Sequence, residues 1–412
     1  MGDPRVVVVG GGQAGLAVSQ ALSGHGVEHV VLERRRVAQT WRDRWDSFCF
    51  VTPNWTRHLP GLPYDGDQPE GFDHRDLVVR YLESYAEAFR VPVRESVEVQ
   101  SLEADGPRLR LRTSDSDLLA DQVVLATGAY QKPHRPPVAG AFPAGLLVID
   151  AEGYRNPDAL PPGGVLVVGS GQTGCQLAEE LHLAGREVFL ACGRAAWGPR
   201  RVEGRDMVTW LAETTWFEMP LPSPAARLLG NIQLSGRDGG HDLNYRVLQA
   251  MGVQLRGHLV GVDGGRARFA DDLAESVAFG DARYADARRL LTEQLTAKGV
   301  RPPELPDPPP FQAGASGDVP LDRLGAVIFT SGFRPDYGRW VDLPVFDQDG
   351  FPVAPDGVCA AVPGLHFVGV HFLRTRKSSL MWGVGEDAAM VARHVAARAG
   401  IIDPGMRAPA SR

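Results

Sequence analysis

The strongest constraint on this chain is a short glycine phrase that occurs twice, as VVVVGGGQAG at residues 6–15 and as VLVVGSGQTG at residues 165–174. In each copy, four apolar residues precede glycines with the spacing G-x-G-x-x-G, and a helical pattern follows. In a strand–turn–helix unit, the first glycine makes the tight turn, the second admits a pyrophosphate close to the backbone, and the third lets helix and strand pack closely. The repeat therefore predicts two dinucleotide-binding sites.

The residue that follows the next strand differs between the two copies. After the first phrase, the run VEHVVLE ends at Glu33, whose carboxylate can accept hydrogen bonds from ribose hydroxyls, so this site suits FAD or NAD. After the second phrase, the run REVFLAC is followed by Arg194, and then by Arg200 and Arg201. A guanidinium matches the oxygens of a 2′-phosphate. The second site therefore suits NADP, the alternative being that Arg194 is a solvated surface arginine.

Composition and charge restrict the remaining function classes. The formal net charge is −7 and no basic block is longer than ERRR at residues 33–36, which argues against a nucleic-acid partner. No run approaches the roughly 18 apolar residues of a membrane span. The four cysteines form no C-x-x-C pair, which argues against a metal site or a dithiol and fits a reducing compartment. We expect a cytoplasmic protein and leave a homodimer open.

Three further stretches complete a family resemblance. They are TWRDRWDSFCFVTPNW at residues 40–55, DQVVLATGAY at 121–130 and GAVIFTSGFRPDY at 325–337. The last two are β-runs that end in small residues, where backbone can approach a cofactor. With the two glycine phrases, they make the chain resemble the class B flavin-dependent monooxygenases, which are flavoproteins with two dinucleotide-binding domains. The resemblance implies that the first phrase binds FAD and the second binds NADPH.

The phrases and the resemblance together define the candidate site. Asn54, in TPNW, is the candidate catalytic residue, which would hydrogen bond to the oxygenated flavin, and the alternative is an asparagine that fixes a turn. His371, Arg374 and Arg376 could face the flavin, but no constellation singles one out as catalytic. The predicted cofactor neighbours are Gly10, Gly12, Gln13, Ala14, Gly15, Glu33, Arg34, Thr40, Trp41, Trp45, Thr52, Val99, Ala126, Thr127, Gly128, Gly169, Gly171, Gln172, Thr173, Gly174, Arg194, Arg200, Arg201, Ser331, Gly332 and Leu380.

One segment departs from the family pattern. The family fingerprint F-x-G-x-x-x-H-x-x-x-[YFW] falls on GAFPAGLLVIDAEGYRNP, where Phe142, Gly145 and Tyr154 match after a shift of one residue in each of the first two gaps. Asp150 occupies the place of the expected histidine. The resemblance therefore implies a shorter-lived oxygenated flavin here than in family members that have the histidine.

These observations predict an α/β fold with two Rossmann-like domains, the second inserted into the first. The predicted boundaries are 1–155 and 321–400 for the FAD domain, 156–320 for the NADP domain, and 401–412 for a mobile tail. The resemblance implies an enzyme in which NADPH reduces FAD, a C4a-(hydro)peroxyflavin forms with molecular oxygen, and a small organic substrate undergoes N-, S- or C-oxygenation or a Baeyer–Villiger reaction. Two alternatives stay open: an NADPH-dependent flavoprotein reductase or oxidase that inserts no oxygen, and a non-catalytic flavin or nucleotide sensor.

Overall fold

Each glycine phrase begins with a strand of a parallel sheet. The computed structural model describes residues 4–228, 231–314 and 317–402, and the predicted mobile tail lies almost entirely outside them. Four of the five strands of the first sheet are buried because they are mostly apolar and covered on both faces, whereas the edge strand Val93–Arg94 is partly exposed. In order of pairing among the described residues, they are Leu365–Phe367, Gln122–Leu125, Val6–Val9, Val30–Leu32 and Val93–Arg94.

The second sheet repeats this plan but draws its strands from a wider span than the sequence suggested. Within the described ranges, its parallel strands in order of pairing are Gln254–Arg256, Val188–Ala191, Gly164–Val168, Leu324–Phe329 and Leu147–Asp150. The predicted limits of 156–320 are therefore wrong for this unit. Leu324–Phe329 pairs with both Gly164–Val168 and Leu147–Asp150, so residues on either side of the predicted insertion belong to the second domain.

Smaller sheets cover one face of each parallel sheet. On the first domain the cover consists of Val341–Asp342, Val99–Asp105, Arg108–Thr113 and Leu118–Ala120. On the second domain it consists of Leu259–Asp263, Arg266–Phe269 and Val319–Pro320. A short hairpin pairs Arg201–Val202 with Arg205–Asp206. Each cover closes an apolar core, so each domain has its own interior.

Helices cover the other faces. The Gln13–Gly24 helix packs against Val384–Arg398, and both turn small apolar residues toward the first sheet. The described helices are Gln13–Gly24, Gln39–Arg42, Arg75–Ala88, Gln172–Leu183, Met207–Ala212, Tyr245–Met251, Leu273–Ala297 and Val384–Arg398. In the part of the chain that the structure describes, no helix is both long enough and apolar enough to cross a bilayer.

The chain crosses between the domains at a single two-stranded ribbon. Lys132–Pro133 leaves the first domain and pairs antiparallel with Phe333–Arg334, which returns from the second. The ribbon begins seven residues after the Gln122–Leu125 strand and four residues after the Leu324–Phe329 strand. Seven residues of extended chain span at most about 25 Å. The carboxyl ends of both parallel sheets are therefore held close to one junction.

Candidate functional site

The first glycine turn has the shape of a pyrophosphate cradle. Gly10 has a φ of 113°, and a Cβ there would lie 2.5 Å from the carbonyl oxygen of Ala126. A Cβ at Gly15 would lie 1.9 Å from the carbonyl oxygen of Gly10. Gly12 differs, because a Cβ there would meet no protein atom within 4 Å, and the helix that follows has no side-chain cap. The open space thus faces an uncapped helix N-terminus, the environment that favours phosphate.

Glu33 lies beside this turn, directly after the Val30–Leu32 strand. Its carboxylate accepts hydrogen bonds from the backbone N–H groups of Gly11, at 2.8 Å, and Arg35, at 2.9 Å. The side chain is buried, whereas that of Arg34 is exposed. The carbonyl of Glu33 accepts from the N–H of Val97, so the segment that leads to Val99 lies against the same edge. The two bound N–H groups fix the carboxylate and leave it further acceptor capacity.

Several predicted flavin neighbours meet at the start of the first helix. Gln13 donates to the carbonyl of Ser379 at 3.1 Å and accepts from the indole N–H of Trp41 at 2.9 Å. Ala14 is buried, and Leu380 follows Ser379 directly. The structure therefore brings the 40–55 segment and the segment after the last strand together at the turn, as the sequence predicted.

The Ala126–Gly128 stretch supports the same turn from the neighbouring strand. The N–H of Ala126 donates to the carbonyl of Val9, and the hydroxyl of Thr127 accepts from Gln131 at 3.0 Å. Gly128 follows with a φ of 82°, a conformation that favours glycine. The backbone thus leaves the strand sharply beside the cradle.

Three other residues of the 40–55 segment have different environments, and their predicted flavin contacts stay predictions. Trp45 is 4% exposed and packs in the core of the second domain with Tyr154. Thr40 is exposed, and the hydroxyl of Thr52 is 2.6 Å from that of Thr56. Sequence position placed these residues near the flavin, but their burial and partners could not be read from the sequence.

The predicted catalytic role of Asn54 needs a correction. Its side-chain amide donates to the carbonyl of Gln68 and to the carboxylate of Asp73, both at 3.0 Å, and its oxygen accepts from the N–H of Asp73 at 2.7 Å. Both N–H groups of the amide are therefore engaged, and no donor is left for an oxygen species on the flavin. The geometry favours the alternative role, in which the asparagine fixes the loop at residues 68–73.

The second glycine turn reproduces the first. Gly169 has a φ of 104°, and a Cβ at Gly174 would lie 2.0 Å from the Gly169 carbonyl oxygen. Gly171 precedes a helix that has no side-chain cap. Thr330 closes the turn by donating its hydroxyl to the Gly169 carbonyl at 2.7 Å.

The other residues predicted around the second turn are placed beside it. Gln172 and Thr173 begin the helix, and the side chain of Gln172 donates to the carbonyl of Ile232 at 3.1 Å. Ser331 donates its hydroxyl to the carbonyl of Val168 at 3.3 Å, and Gly332 has a φ of 84°. The end of the Leu324–Phe329 strand therefore supports this turn as the Ala126–Gly128 stretch supports the first.

The three arginines predicted to meet the 2′-phosphate have different environments. Arg194 is exposed and forms no ion pair with any described residue. Arg200 is buried and donates to both oxygens of Asp206, at 2.7 and 2.6 Å, and to the carbonyl of Val51. Arg201 donates to backbone carbonyls, including that of Gly239 at 3.0 Å. Arg194 is available to a phosphate, whereas the prediction for Arg200 is wrong because Asp206 already holds its guanidinium.

A partly buried histidine lies four residues after the Leu365–Phe367 strand. The ring of His371 packs edge-on against Tyr130, with ring centroids 5.1 Å apart, and its Nδ1 is 3.0 Å from the hydroxyl of Ser379. Burial lowers the pKa of His371 to about 4. The imidazole is therefore neutral at pH 7 and contributes a closed, uncharged wall beside the turn.

Asp150 occupies the position at which the family fingerprint has a histidine. Its carboxylate accepts from Arg135 at 2.7 Å, and this hydrogen bond raises the pKa of the arginine. Asp150 ends the Leu147–Asp150 strand, so it lies at an edge of the second sheet. An ion pair thus replaces the imidazole that the family pattern would supply.

One cavity among the described residues lies away from both turns. It measures about 1090 Å³ and is lined by residues such as Arg5, Val30, Arg94 and Arg398. Arg5 and Val30 mark the amino ends of the Val6–Val9 and Val30–Leu32 strands. Because ligands of open α/β sheets bind at the carboxyl ends, this cavity is not the cofactor site.

Comparison with known proteins identifies the family. The model of the pyridine nucleotide-disulphide oxidoreductase family matches residues 7–219, just over half of the chain. The chain belongs to this family. An uncharacterized CzcO-like oxidoreductase from Geobacillus kaustophilus is 29% identical to this chain. The alignment covers 93% of this chain and 95% of the relative. The indole-3-pyruvate monooxygenase YUCCA1 of rice is 29% identical to this chain, and the alignment covers 50% of this chain and 57% of the relative.

A solved structure agrees with the architecture. The flavin-containing monooxygenase from Stenotrophomonas maltophilia superposes with a TM-score of 0.68 at 20% identity, covering 97% of this chain and all of the other. The family match shows an oxidoreductase of the pyridine nucleotide-disulphide class, and the shared architecture confirms the predicted fold.

Proposed function

We propose that this protein is an NADPH-dependent FAD monooxygenase in which the first glycine turn holds FAD and the second holds NADPH. The observation that carries the proposal is the pairing of two equivalent turns with opposite charges beside them. Glu33 is fixed at the first turn, and Arg194 is free of acidic partners at the second. The stretches that support the two turns, at residues 126–128 and 330–332, lead within a few residues into the ribbon that joins the domains, which favours transfer between their ligands.

The chain's own residues provide binding and orientation. The uncapped N-termini of the Gln13–Gly24 and Gln172–Leu183 helices suit the two pyrophosphates. Glu33 suits ribose hydroxyls, and Arg194 suits a 2′-phosphate. When bound, NADPH supplies a hydride, and FAD accepts it and activates molecular oxygen.

Exclusion of water falls to the segment after the last strand. His371 is uncharged at neutral pH and packs against Tyr130, so these two rings add no charge of their own beside the turn. A site of low polarity limits side reactions of the reduced cofactor. The substrate is a small organic molecule that undergoes N-, S- or C-oxygenation or a Baeyer–Villiger reaction. The flavin-containing monooxygenase neighbour and the indole-3-pyruvate monooxygenase relative support oxygen insertion.

A second candidate function is an NADPH oxidase or reductase that inserts no oxygen. It is favoured by Asn54, whose amide donors are both engaged by the 68–73 loop, and by Asp150 at the place of the linker histidine. With fewer donors directed at reduced oxygen, peroxide would be released more readily.

Isotope labelling distinguishes the two candidates. The FAD-loaded protein is supplied with NADPH and ¹⁸O₂ together with small amines, sulfides and ketones, and products are examined by mass spectrometry while peroxide is measured. We expect one ¹⁸O atom in a product and less peroxide than NADPH consumed. Peroxide equal to NADPH consumed with every probe would favour the oxidase.

A further inference from the structure

An aromatic cluster that contains one arginine lies where the second domain meets the segment after the last strand of the first sheet. The ring centroid of Trp382 is 5.2 Å from that of Trp55 and 5.0 Å from that of Phe217. The guanidinium of Arg376 is 4.3 Å from the ring centroid of Trp216 and 5.1 Å from that of Phe372. We name this group the tryptophan cluster, and its members are Trp55, Trp216, Phe217, Phe372, Arg376 and Trp382.

Backbone hydrogen bonds hold the cluster together beside the proposed flavin site. The N–H of Arg376 donates to the carbonyl of Met219 at 2.9 Å, which links the two domains. Three residues further on, Ser379 accepts from Gln13 at the first glycine turn. Leu380 packs with the same apolar group as Trp216 and Trp382. The cluster therefore adjoins the first helix rather than lying on a remote surface.

Arg376 carries a charge that no described residue compensates. Its Nε is buried without a hydrogen-bond partner, and no acidic side chain among the described residues forms an ion pair with it. Burial lowers the pKa of Arg376, and no neighbouring carboxylate opposes that shift. Arg376 is partly buried, and a charge that loses hydration without gaining a partner is costly, so a ligand that supplies the opposite charge would stabilise it.

The other two cations of the same stretch are paired. Arg374 donates to Asp387 at 3.0 Å. Lys377 contacts Glu218 at 2.5 Å and Glu386 at 2.6 Å. Acidic residues thus pair with Arg374 and Lys377, whereas Arg376 contacts aromatic rings and has no acidic partner among the described residues.

Two further features of the cluster indicate a ligand. The indole N–H of Trp382 is buried and has no acceptor, so the cluster holds a second unused donor. Phe372 has a φ of 50°, a left-handed conformation that is rare for a bulky side chain. Strained residues of this kind concentrate at ligand sites. The cluster therefore combines aromatic rings, two donors without a partner and the unpaired charge of Arg376. The ammonium of Lys377 also lies 5.7 Å from the Trp382 ring centroid, but Glu218 and Glu386 neutralise it.

We propose that the tryptophan cluster binds the organic substrate and that Arg376 selects an aromatic carboxylate. The carboxylate accepts hydrogen bonds from the guanidinium, and the aromatic ring lies among the tryptophan and phenylalanine rings. The proposal rests on the proposed function, because it takes the cluster as the substrate site of the same enzyme. It limits that function to substrates that carry a negative charge.

Titration calorimetry of the FAD-loaded protein with phenylacetate tests the proposal, and phenylacetamide serves as the neutral analogue of the same shape. We expect phenylacetate to bind at least about 10-fold more tightly than the amide. Arg376→Gln should weaken phenylacetate binding by about 10- to 100-fold, since it removes hydrogen bonds to a charged group, and should leave amide binding nearly unchanged. Equal affinity for acid and amide in the natural protein would overturn the proposal.

Arg205→Gln is the matched control. The guanidinium of Arg205 lies 4.1 Å from the ring centroid of Trp210, as Arg376 lies over Trp216, but Glu213 compensates its charge. This variant loses the same charge and a similar stacking contact, and should bind phenylacetate as the natural protein does. A second variant, Arg376→Lys, keeps the charge but not the planar fork and should fall between the natural protein and Arg376→Gln. An equal loss in Arg205→Gln would contradict the proposal.

Two further outcomes separate this inference from the proposed function. The calorimetric result does not depend on turnover, so selective binding of phenylacetate without ¹⁸O incorporation into any product would sustain the anion site and refute the monooxygenase. Oxygen incorporation into neutral substrates without any preference for acids would do the reverse. Competition between NADP⁺ and phenylacetate that disappears in Arg376→Gln would show that Arg376 serves the nucleotide, and would overturn the substrate assignment.

Discussion

The two glycine turns are nearly identical in geometry and differ in the residue beside them. A Cβ at the third glycine would meet the carbonyl oxygen of the first at 1.9 Å in one turn and 2.0 Å in the other. Yet Glu33 is buried and held by two backbone N–H groups, whereas Arg194 is exposed and without an ion pair in the described chain. The comparison supports the proposal that each turn provides a dinucleotide site and that the strand-end residue decides which dinucleotide it takes.

The largest expected effect comes from filling one cradle at a time. A side chain at Gly12 meets no protein atom within 4 Å, so Gly12→Val should fold normally and fail to retain FAD, because the valine occupies the space of the pyrophosphate. Gly171→Val should retain FAD and lose reduction by NADPH. Flavin absorbance of the purified variants and anaerobic reduction provide the measurements. Full flavin occupancy in Gly12→Val would reverse the assignment of the two turns.

A smaller but still large effect is expected from the buried pair of the second domain. Arg200→Met leaves the Asp206 carboxylate buried without its partner, and should lower the free energy of unfolding by about 3–5 kcal/mol. Urea denaturation measures the loss. The preference for NADPH over NADH should survive in the folded variant, since Arg200 stabilises the domain. A loss of that preference with unchanged stability would restore Arg200 as a phosphate ligand.

The smallest effects come from two histidines, one in each domain, that contact the helix after the glycine turn. His29 lies 2.7 Å from the Ser19 hydroxyl, and burial lowers its pKa. His241 lies 2.6 Å from Glu179, and this hydrogen bond raises its pKa. A lowered pKa means that stability is lost as the pH falls through the ordinary value near 6.5, whereas a raised pKa means that stability is lost as the pH rises through the folded value.

Thermal unfolding between about pH 8 and about pH 5.5 checks these signs. His29→Gln should lose less stability on acidification than the natural protein, because it has no imidazole to protonate in the unfolded chain. His241→Gln should lose more, because it lacks the pair with Glu179 that strengthens at acidic pH. The same response in both variants would show that these contacts do not distinguish the domains.

The local elements of the fold were predictable because glycine spacing and apolar runs act over short distances. The strands Val6–Val9 and Gly164–Val168 and the helices that follow their turns appear where the sequence predicted them. The domain limits failed because strand pairing is not local. The sequence of the stretch at 325–337 does not reveal which strands it pairs with. In the structure its strand pairs with Gly164–Val168 and Leu147–Asp150 rather than with the first sheet.

Side-chain roles were predictable only where the partner is the backbone of the same motif. The position of Glu33 followed from the motif, but the engagement of Asn54 with Asp73 and of Arg200 with Asp206 did not. In the same way, Arg374 and Arg376 look alike in sequence, and only burial and pairing distinguish them. Long-range contacts determine whether a polar side chain is engaged by other residues of the protein or is available to bind a ligand.

The central claim is that charge beside equivalent turns selects the cofactor, and Arg194→Ala tests it most directly. Loss of one charge-assisted contact with a 2′-phosphate, about 1.5–3 kcal/mol and partly screened by solvent, should lower kcat/KM for NADPH by about 10- to 100-fold. NADH has no such phosphate, so kcat/KM for NADH should hardly change. Equal losses with NADPH and NADH, or a natural enzyme that prefers NADH, would contradict the account.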